Sequence, residues 1–287
     1  MRSRHSSKPR RRFRHRRTRP DPRHLPDRRH DHRRRLHPHQ RRRSRCPHPG
    51  AHRPPTGELT TMNMPFYVAP EQVMKDRADY ARKGIARGRS LVGFRFDKGV
   101  AICAENTSST LRKVSEIYDR IAFAGVGKYN EFDQLRIAGV RHADMKGYSF
   151  SREDVDARSL ANQYAQSLGQ IFTHEMKPME VEILVAEIGH ADDGSGDQLF
   201  HILYDGTVID EEMSVVLGGE TEAIAERLGT FEQPPTLADG LRQAVAALAG
   251  PERTLTADAL EVAVLERGDH RRTFRRLDDP EITELLA

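Results

Sequence analysis

The sequence has few cysteines and no long apolar run. Its two cysteines, Cys46 and Cys103, cannot form the disulfide framework of a small secreted protein, and we expect Cys103 to be a small core residue. No apolar run approaches the roughly 20 residues that a membrane-spanning helix needs, and the N-terminus has no apolar segment of the secretory kind. These absences predict a cytoplasmic protein that does not enter a membrane.

Several catalytic and cofactor-binding motifs are also missing. The sequence contains no G-x-S-x-G, no zinc-ligand spacing and no phosphate-binding loop, so we expect neither a metal nor a cofactor. The glycines at Gly125, Gly127 and Gly218-Gly219 are predicted to lie in turns. No repeat recurs with a period of about 20 to 50 residues, which disfavours solenoids and propellers.

Charge divides the chain into two unlike parts. Residues 1–61, the basic arm, contain 21 Lys and Arg against 4 Asp and Glu, and the rest of the chain is acidic. The basic arm also holds 9 of the 14 histidines and 9 of the 16 prolines. It shows almost no apolar periodicity, so it cannot bury enough surface to offset its chain entropy. We therefore predict a disordered extension over residues 1–61 and a folded domain over 62–287.

Two interpretations of the basic arm stay open. Its runs of arginine would neutralise phosphates, which favours a nucleic-acid-binding protein that acts through this arm. The abrupt change of composition near Met62 instead indicates upstream sequence translated from too early a start, with Met62 or Met64 as the natural first residue. On the second interpretation the protein has no specific nucleic-acid partner.

A helix and a strand hairpin open the folded domain. Pro70 suits the first turn of a helix, and apolar residues recur at helical spacing as far as Ile85. We expect this helix to run to Arg87 and to stop at Gly88. From Ser90 the pattern becomes extended, and it predicts strands on both sides of a turn at residues 97–99.

The rest of the domain alternates runs of strands with pairs of helices. This order favours an α/β (α+β) architecture, with two stacked sheets between two layers of helices. The remaining predicted elements are a strand at 121–126, a helix capped by Asn130, a longer helix after 151–154, strands at 181–188, 199–204, 207–209 and 214–217, a helix at 220–228, a helix capped by Thr236, a strand at 260–265, a short strand near 273–277 and a terminal helix capped by Asp278 or Asp279.

Two segments resemble a known family. PFYVAPEQVMKDRADYARKGIARGRS (65–90) and STLRKVSEIYDRIAFAGVGKYNEF (109–132) are similar to the α-type subunits of the actinobacterial proteasome core particle, and the similarity extends over about 62–287. The resemblance implies a four-layer αββα sandwich, the N-terminal-nucleophile hydrolase-like fold of proteasome subunits.

The same fold includes threonine proteases, so a catalytic role must be considered. That chemistry needs a threonine with a free amine at the start of the first strand, and a lysine and an acid that tune it. The resemblance places Arg89 at the position of that threonine, Lys113 at the level of the lysine and Glu105 near the acid. Because the nucleophile is missing, the resemblance implies a noncatalytic subunit, and a self-processing hydrolase is the alternative.

The resemblance also implies partners and a role in protein degradation. Family members form heptameric outer rings that scaffold the proteolytic β-subunits, gate substrate entry and dock AAA ATPase activators through the activators' C-terminal tails. Substrates tagged with prokaryotic ubiquitin-like protein would be reached indirectly, through the activator. In this chain the implied gate consists of Met64, Pro65, Phe66 and Tyr67, and the implied tail pocket consists of Lys113, Arg82 and the backbone at Gly127.

Overall fold

The computed structural model describes residues 69–190 and 194–287. The predicted gate, Met64 to Tyr67, lies outside the described residues, as do the basic arm and the predicted domain boundary at residue 62. Within the described ranges no helix is long and apolar enough to cross a membrane.

In the part of the chain that the structure describes, ten strands form two antiparallel sheets of five strands each. The strands are β1 (Leu91–Phe96), β2 (Gly99–Glu105), β3 (Val114–Tyr118), β4 (Ile121–Gly127), β5 (Val181–Glu187), β6 (Gln198–Ile202), β7 (Val208–Glu211), β8 (Ser214–Leu217), β9 (Leu260–Glu266) and β10 (Phe274–Arg276). The first sheet has the order β10-β9-β2-β1-β8, and the second has the order β3-β4-β5-β6-β7. The predicted hairpin is the central pair of the first sheet, in which Phe96 pairs with Gly99 across the turn.

Six α-helices within residues 69–190 and 194–287 surround the sheets. They are α1 (Pro70–Ile85), α2 (Tyr129–Ser149), α3 (Ala157–His174), α4 (Thr221–Leu228), α5 (Leu237–Ala249) and α6 (Asp279–Leu286). Apolar residues of α4, α5 and α6 pack on the outer face of the first sheet, and those of α2 and α3 pack on the outer face of the second. A third core fills the space between the sheets. The predicted four-layer αββα sandwich is thus confirmed.

Strand β2 shows why the central strands read as unbroken apolar runs. Val100, Ile102 and Ala104 face the second sheet, whereas Ala101 and Cys103 face the helices. Both faces of the strand are covered, so alternation with polar residues disappears. Cys103 is a core residue, as predicted, and burial raises the pKa of its thiol to about 12.

Helix α1 lies against one end of the sandwich. It contacts β4 and β5, and its residues Ala81 and Ile85 belong to the core between the sheets. The helix ends at Ile85 rather than at the predicted Arg87, because Gly88 N donates to Ile85 O (2.8 Å) and tightens the last turn. A tight turn therefore leads from α1 into β1.

The helix caps agree with the sequence except at α2. Thr236 accepts a hydrogen bond from the backbone of α5, and Asp278, one of the two predicted candidates, accepts one from α6. The prediction that Asn130 caps α2 is wrong, because Lys128 is the N-cap and Asn130 lies inside the helix. Lys128 N donates instead to Glu180 O (2.9 Å), and this contact fixes the start of the helix two residues earlier.

Candidate functional site

One buried carboxylate joins the two sheets just before β3. Glu261, on β9 of the first sheet, accepts from Lys113 N (2.9 Å) and from Val114 N (3.2 Å) at the start of the second sheet. The Glu261 side chain is 1% exposed. The backbone position of Lys113 is therefore set by a residue 148 positions away in the sequence.

Two further side chains neutralise and orient Glu261. Arg276, on β10, forms an ion pair with Glu261 and also donates to Val114 O (2.7 Å). Asn106 donates to Glu261 through Nδ2 (2.7 Å). A buried charge persists only when it is paired and hydrogen-bonded, so these three side chains form one unit. The sequence analysis missed this unit; the signal for it was the carboxylate at the second position of the otherwise apolar stretch LEVAVL.

The side chain of Lys113 reaches back to the turn that follows α1. Its Nζ donates to the backbone oxygen of Arg89. Burial lowers the pKa of Lys113 to about 8, Glu105 and Glu261 act in the opposite direction, and Arg89 lowers it further. The positive charge of Lys113 is thus only partly neutralised by the charged groups around it.

Glu105 is engaged by two arginines. It lies at the end of β2, is 5% exposed and forms ion pairs with Arg89 and with Arg253 (3.1 Å from Nη1 to Oε1). The structure therefore brings together Arg89, Glu105 and Lys113, three residues that the sequence singled out together. The chain runs without a break from α1 through Arg89, so the nitrogen of Arg89 is an amide and not a free amine. This cluster has neither the nucleophile nor the base of an acyl-transfer centre.

Around Lys113, the positively charged side chains outnumber the negatively charged ones, Glu105 and Glu261. Both of these buried carboxylates are held by guanidinium groups. Among the ion pairs of the part of the chain that the structure describes, none includes Lys113, whereas Lys146 and Lys177 each contact a carboxylate within 2.8 Å. A half-buried ammonium with a neutral acceptor can bind an added carboxylate.

Gly127 lies at the same end of the sandwich as Lys113. Gly125 N donates to Lys113 O (3.1 Å), and Gly127 follows two residues later on β4. Gly127 has φ +109, and a side chain there would place Cβ 2.0 Å from Glu180 O, so only glycine fits. A Cβ added to Gly88 would lie only 2.8 Å from the backbone nitrogen of Gly127, so the backbone at Gly88 closely approaches that at Gly127.

Arg82 has different neighbours. It lies on the exposed side of α1, with its guanidinium carbon 5.7 Å from the centroid of the Tyr204 ring and Nη1 3.5 Å from Asp79 Oδ1. No hydrogen bond or ion pair within residues 69–190 and 194–287 joins Arg82 to Lys113 or Gly127. Over the same ranges no group of three or more His, Cys, Asp or Glu side chains could hold a metal ion.

Comparisons with known proteins give a consistent result. A family model described as proteasome subunit matches residues 85–265. The chain is 63% identical over 227 residues to the proteasome subunit alpha of Acidimicrobium ferrooxidans, covering 79% of this chain and 97% of that protein. It is 56% identical over 232 residues to that of Sanguibacter keddieii, covering 79% and 90%, and 54% identical over 237 residues to that of Kineococcus radiotolerans, covering 79% and 99%.

Proposed function

Since the chain belongs to the proteasome subunit family, as an α-type and therefore noncatalytic subunit of the proteasome core, we propose that it forms heptameric outer rings on rings of a proteolytic β-subunit. In this assembly it scaffolds the β-subunits, gates the entry of substrates and docks an ATPase activator. Its place is the cytoplasm, and substrates tagged with prokaryotic ubiquitin-like protein reach it through the activator.

One observation supports the docking role above all others. Lys113 presents a half-buried ammonium to a neutral carbonyl, while the neighbouring carboxylates are already held by guanidinium groups. The C-terminal carboxylate of an activator tail would supply the missing acidic partner. A charge-assisted hydrogen bond of this kind contributes about 1.5–3 kcal/mol, and several tails that engage one ring add avidity.

The other two pocket residues have different proposed roles. The close approach of Gly127 to Gly88 leaves backbone groups, rather than side chains, beside Lys113 to receive the end of the tail. Arg82 lies on the exposed side of α1, so we assign it to the rim, where its charge attracts the tail before contact. The proposed gate, Met64 to Tyr67, immediately precedes α1 and lies outside the described residues.

A substitution of Lys113 tests the proposal. In a particle assembled with the β-subunit, Lys113→Ala should leave the hydrolysis of small peptides intact, because the catalytic centres are elsewhere. It should abolish the ATPase-dependent degradation of folded proteins, because the tails lose their cation. Lys98→Ala is the matched control, since Lys98 is exposed in the turn between β1 and β2. Protein degradation at the wild-type rate in the Lys113 variant would contradict the pocket assignment.

A further inference from the structure

Glu180 is a buried residue whose backbone contacts the proposed pocket. It lies just before β5 and is 9% exposed. Its backbone oxygen accepts from Lys128 N (2.9 Å) and lies against Gly127, where an added Cβ would be 2.0 Å from it. Its backbone nitrogen donates to Glu131 Oε2 (2.7 Å), in the first turn of α2. The backbone of Glu180 is therefore held both at the pocket residue Gly127 and at the start of α2.

The side chain of Glu180 lies against α1. A Cβ added to Gly84 would be 2.1 Å from Glu180 Oε2 and 2.5 Å from its Cγ, so no side chain fits between them. Tyr80, one turn earlier on α1, donates its hydroxyl to Glu180 Oε1 (3.4 Å), and Lys177 Nζ lies 2.8 Å from the same oxygen. A glycine inside a helix is unfavourable by itself, and the close approach of Glu180 accounts for Gly84 at this position.

Helix α1 is held to the domain by its second half. Its buried residues are Ala81 and Ile85, whereas residues 70–76 are all exposed. From Gly84 back to its first residue the helix extends for about 21 Å, at a rise of about 1.5 Å per residue. A tilt of about 5° at Gly84 would therefore displace the first residue by about 2 Å. The proposed gate, Met64 to Tyr67, precedes this end of the helix, so a change of tilt would be passed on to it.

We propose that Glu180 is the positioning residue through which a tail bound at the pocket changes the tilt of α1 and thereby opens the gate. The inference rests on the proposed function, because both the pocket and the gate belong to it. A tail that binds at the backbone of Gly127 displaces that backbone, and the hydrogen bond from Lys128 N carries the displacement to Glu180. Closely packed atoms do not absorb a shift, so Glu180 moves Gly84 and the helix with it.

A second contact joins the pocket to the end of α1. It is the close approach of the backbone at Gly88 to Gly127, at 2.8 Å for an added Cβ. Gly88 follows the last residue of α1, near the point about which the helix would tilt, so a displacement there produces little movement at the far end. Glu180 acts further along the helix, and its contact with Gly84 is the one that can turn it.

The test uses particles of the full chain assembled with the β-subunit. Glu180→Ala removes the side chain from α1 but keeps the backbone bonds to Lys128 and Glu131, whereas Glu180→Gln keeps the shape of the side chain. Glu175→Ala is the matched control, because Glu175 is exposed in the segment between α3 and β5. For each variant we would measure the binding of a synthetic peptide with the C-terminal residues of the activator, and the increase in small-peptide hydrolysis that this peptide causes.

Binding and stimulation should separate in Glu180→Ala. The dissociation constant of the tail peptide should stay within about threefold of the wild-type value, because Lys113 and Gly127 are unchanged, but the stimulation should fall about fivefold or more. Glu180→Gln, which still packs on Gly84, should keep most of the stimulation, and Glu175→Ala should keep all of it. A defect in folding or assembly would not produce this split. Undiminished stimulation in Glu180→Ala would overturn the inference and leave the contact at Gly88 as the link.

Hydrogen exchange of α1 gives a result that does not depend on tail binding. In particles without a tail peptide, the amides of residues 71–85 should exchange about fivefold or more faster in Glu180→Ala than in the wild type, and at the wild-type rate in Glu175→Ala. Equal exchange in all three would overturn the inference. Equal affinity of the wild type and Lys113→Ala for the tail peptide would instead refute the docking role of Lys113, and faster exchange in Glu180→Ala would then leave the hold of Glu180 on α1 standing.

Discussion

Replacement of Glu261 by glutamine should weaken the fold far more than its size suggests. The introduced glutamine would have the same shape but no charge, so Arg276, whose side chain is 29% exposed, would lose its counter-ion. The amide nitrogen would also face donors, since Lys113 N, Val114 N and Asn106 Nδ2 all donate to the carboxylate. Glu261→Gln therefore removes a charge and sets a donor against donors.

The magnitude follows from the burial of the Glu261 carboxylate, which is 1% exposed. Breaking a buried ion pair by removing one partner costs about 3–5 kcal/mol. We take about 3 kcal/mol for Glu261→Gln, the lower end of this range, because the glutamine side chain keeps one acceptor oxygen and the unpaired Arg276 is partly exposed. For a domain of this size a change of 1 kcal/mol shifts the melting temperature by roughly 2–4 °C, so we expect a decrease of about 6–12 °C.

The assay is thermal unfolding of the full chain, followed by circular dichroism. Glu266→Gln is the matched control, because Glu266 ends the same strand and pairs with Arg275 at 3.3 Å, but its side chain is 33% exposed. Exposed ion pairs contribute about 0–1 kcal/mol to stability, so the melting temperature of the control variant should decrease by no more than about 4 °C. Equal decreases for the two variants would refute the argument that burial of the charge determines the cost.

Three further predictions concern Lys113 and the proposed gate. The affinity for an activator-tail peptide, measured by titration calorimetry, should be constant below about pH 7 and should weaken as pH rises past 8, by up to about tenfold per pH unit, since only the charged form of Lys113 binds. The Lys113→Arg variant should show no such decline below pH 10. A parallel decline in the wild type and the variant would contradict the prediction. The same pKa, lowered from 10.5, makes the free energy of unfolding rise with pH between about 8 and 10.5, because the unfolded chain binds the extra proton there. Deleting residues 62–67 should raise the rate of small-peptide hydrolysis by opening the pore, and an unchanged rate would place the gate elsewhere.

Much of the fold could be predicted from local patterns. The 3.6-residue periodicity located α1, and the extended pattern on both sides of the turn at 97–99 located the hairpin of β1 and β2. The caps at Thr236 and Asp278 were readable because a capping side chain binds a backbone group only a few residues away. The cap of α2 was predicted wrongly because its start is set by Glu180, 52 residues beyond Lys128, and no local pattern reports such a contact.

The candidate site could be predicted only in part. The resemblance singled out Lys113, Arg89 and Glu105, and the structure brings these three together. It also placed Arg82 beside Lys113, whereas the structure pairs Arg82 with Asp79 and Tyr204; its role at the rim stays a prediction. The noncatalytic α-type assignment is confirmed by the family comparison.

The sequence by itself determined which faces of the elements are apolar and the order of strands and helices, and hence the layered architecture; that Arg89 stands where related proteases have a nucleophile is implied by the resemblance. Only the tertiary structure decided that Glu261 anchors the backbone of Lys113 and that arginines occupy both neighbouring carboxylates. The physical reason is that periodicity depends on neighbours along the chain, whereas burial and charge act through space. The low pKa of Lys113 arises from burial beside groups brought together from distant strands, so no single stretch of sequence contains it.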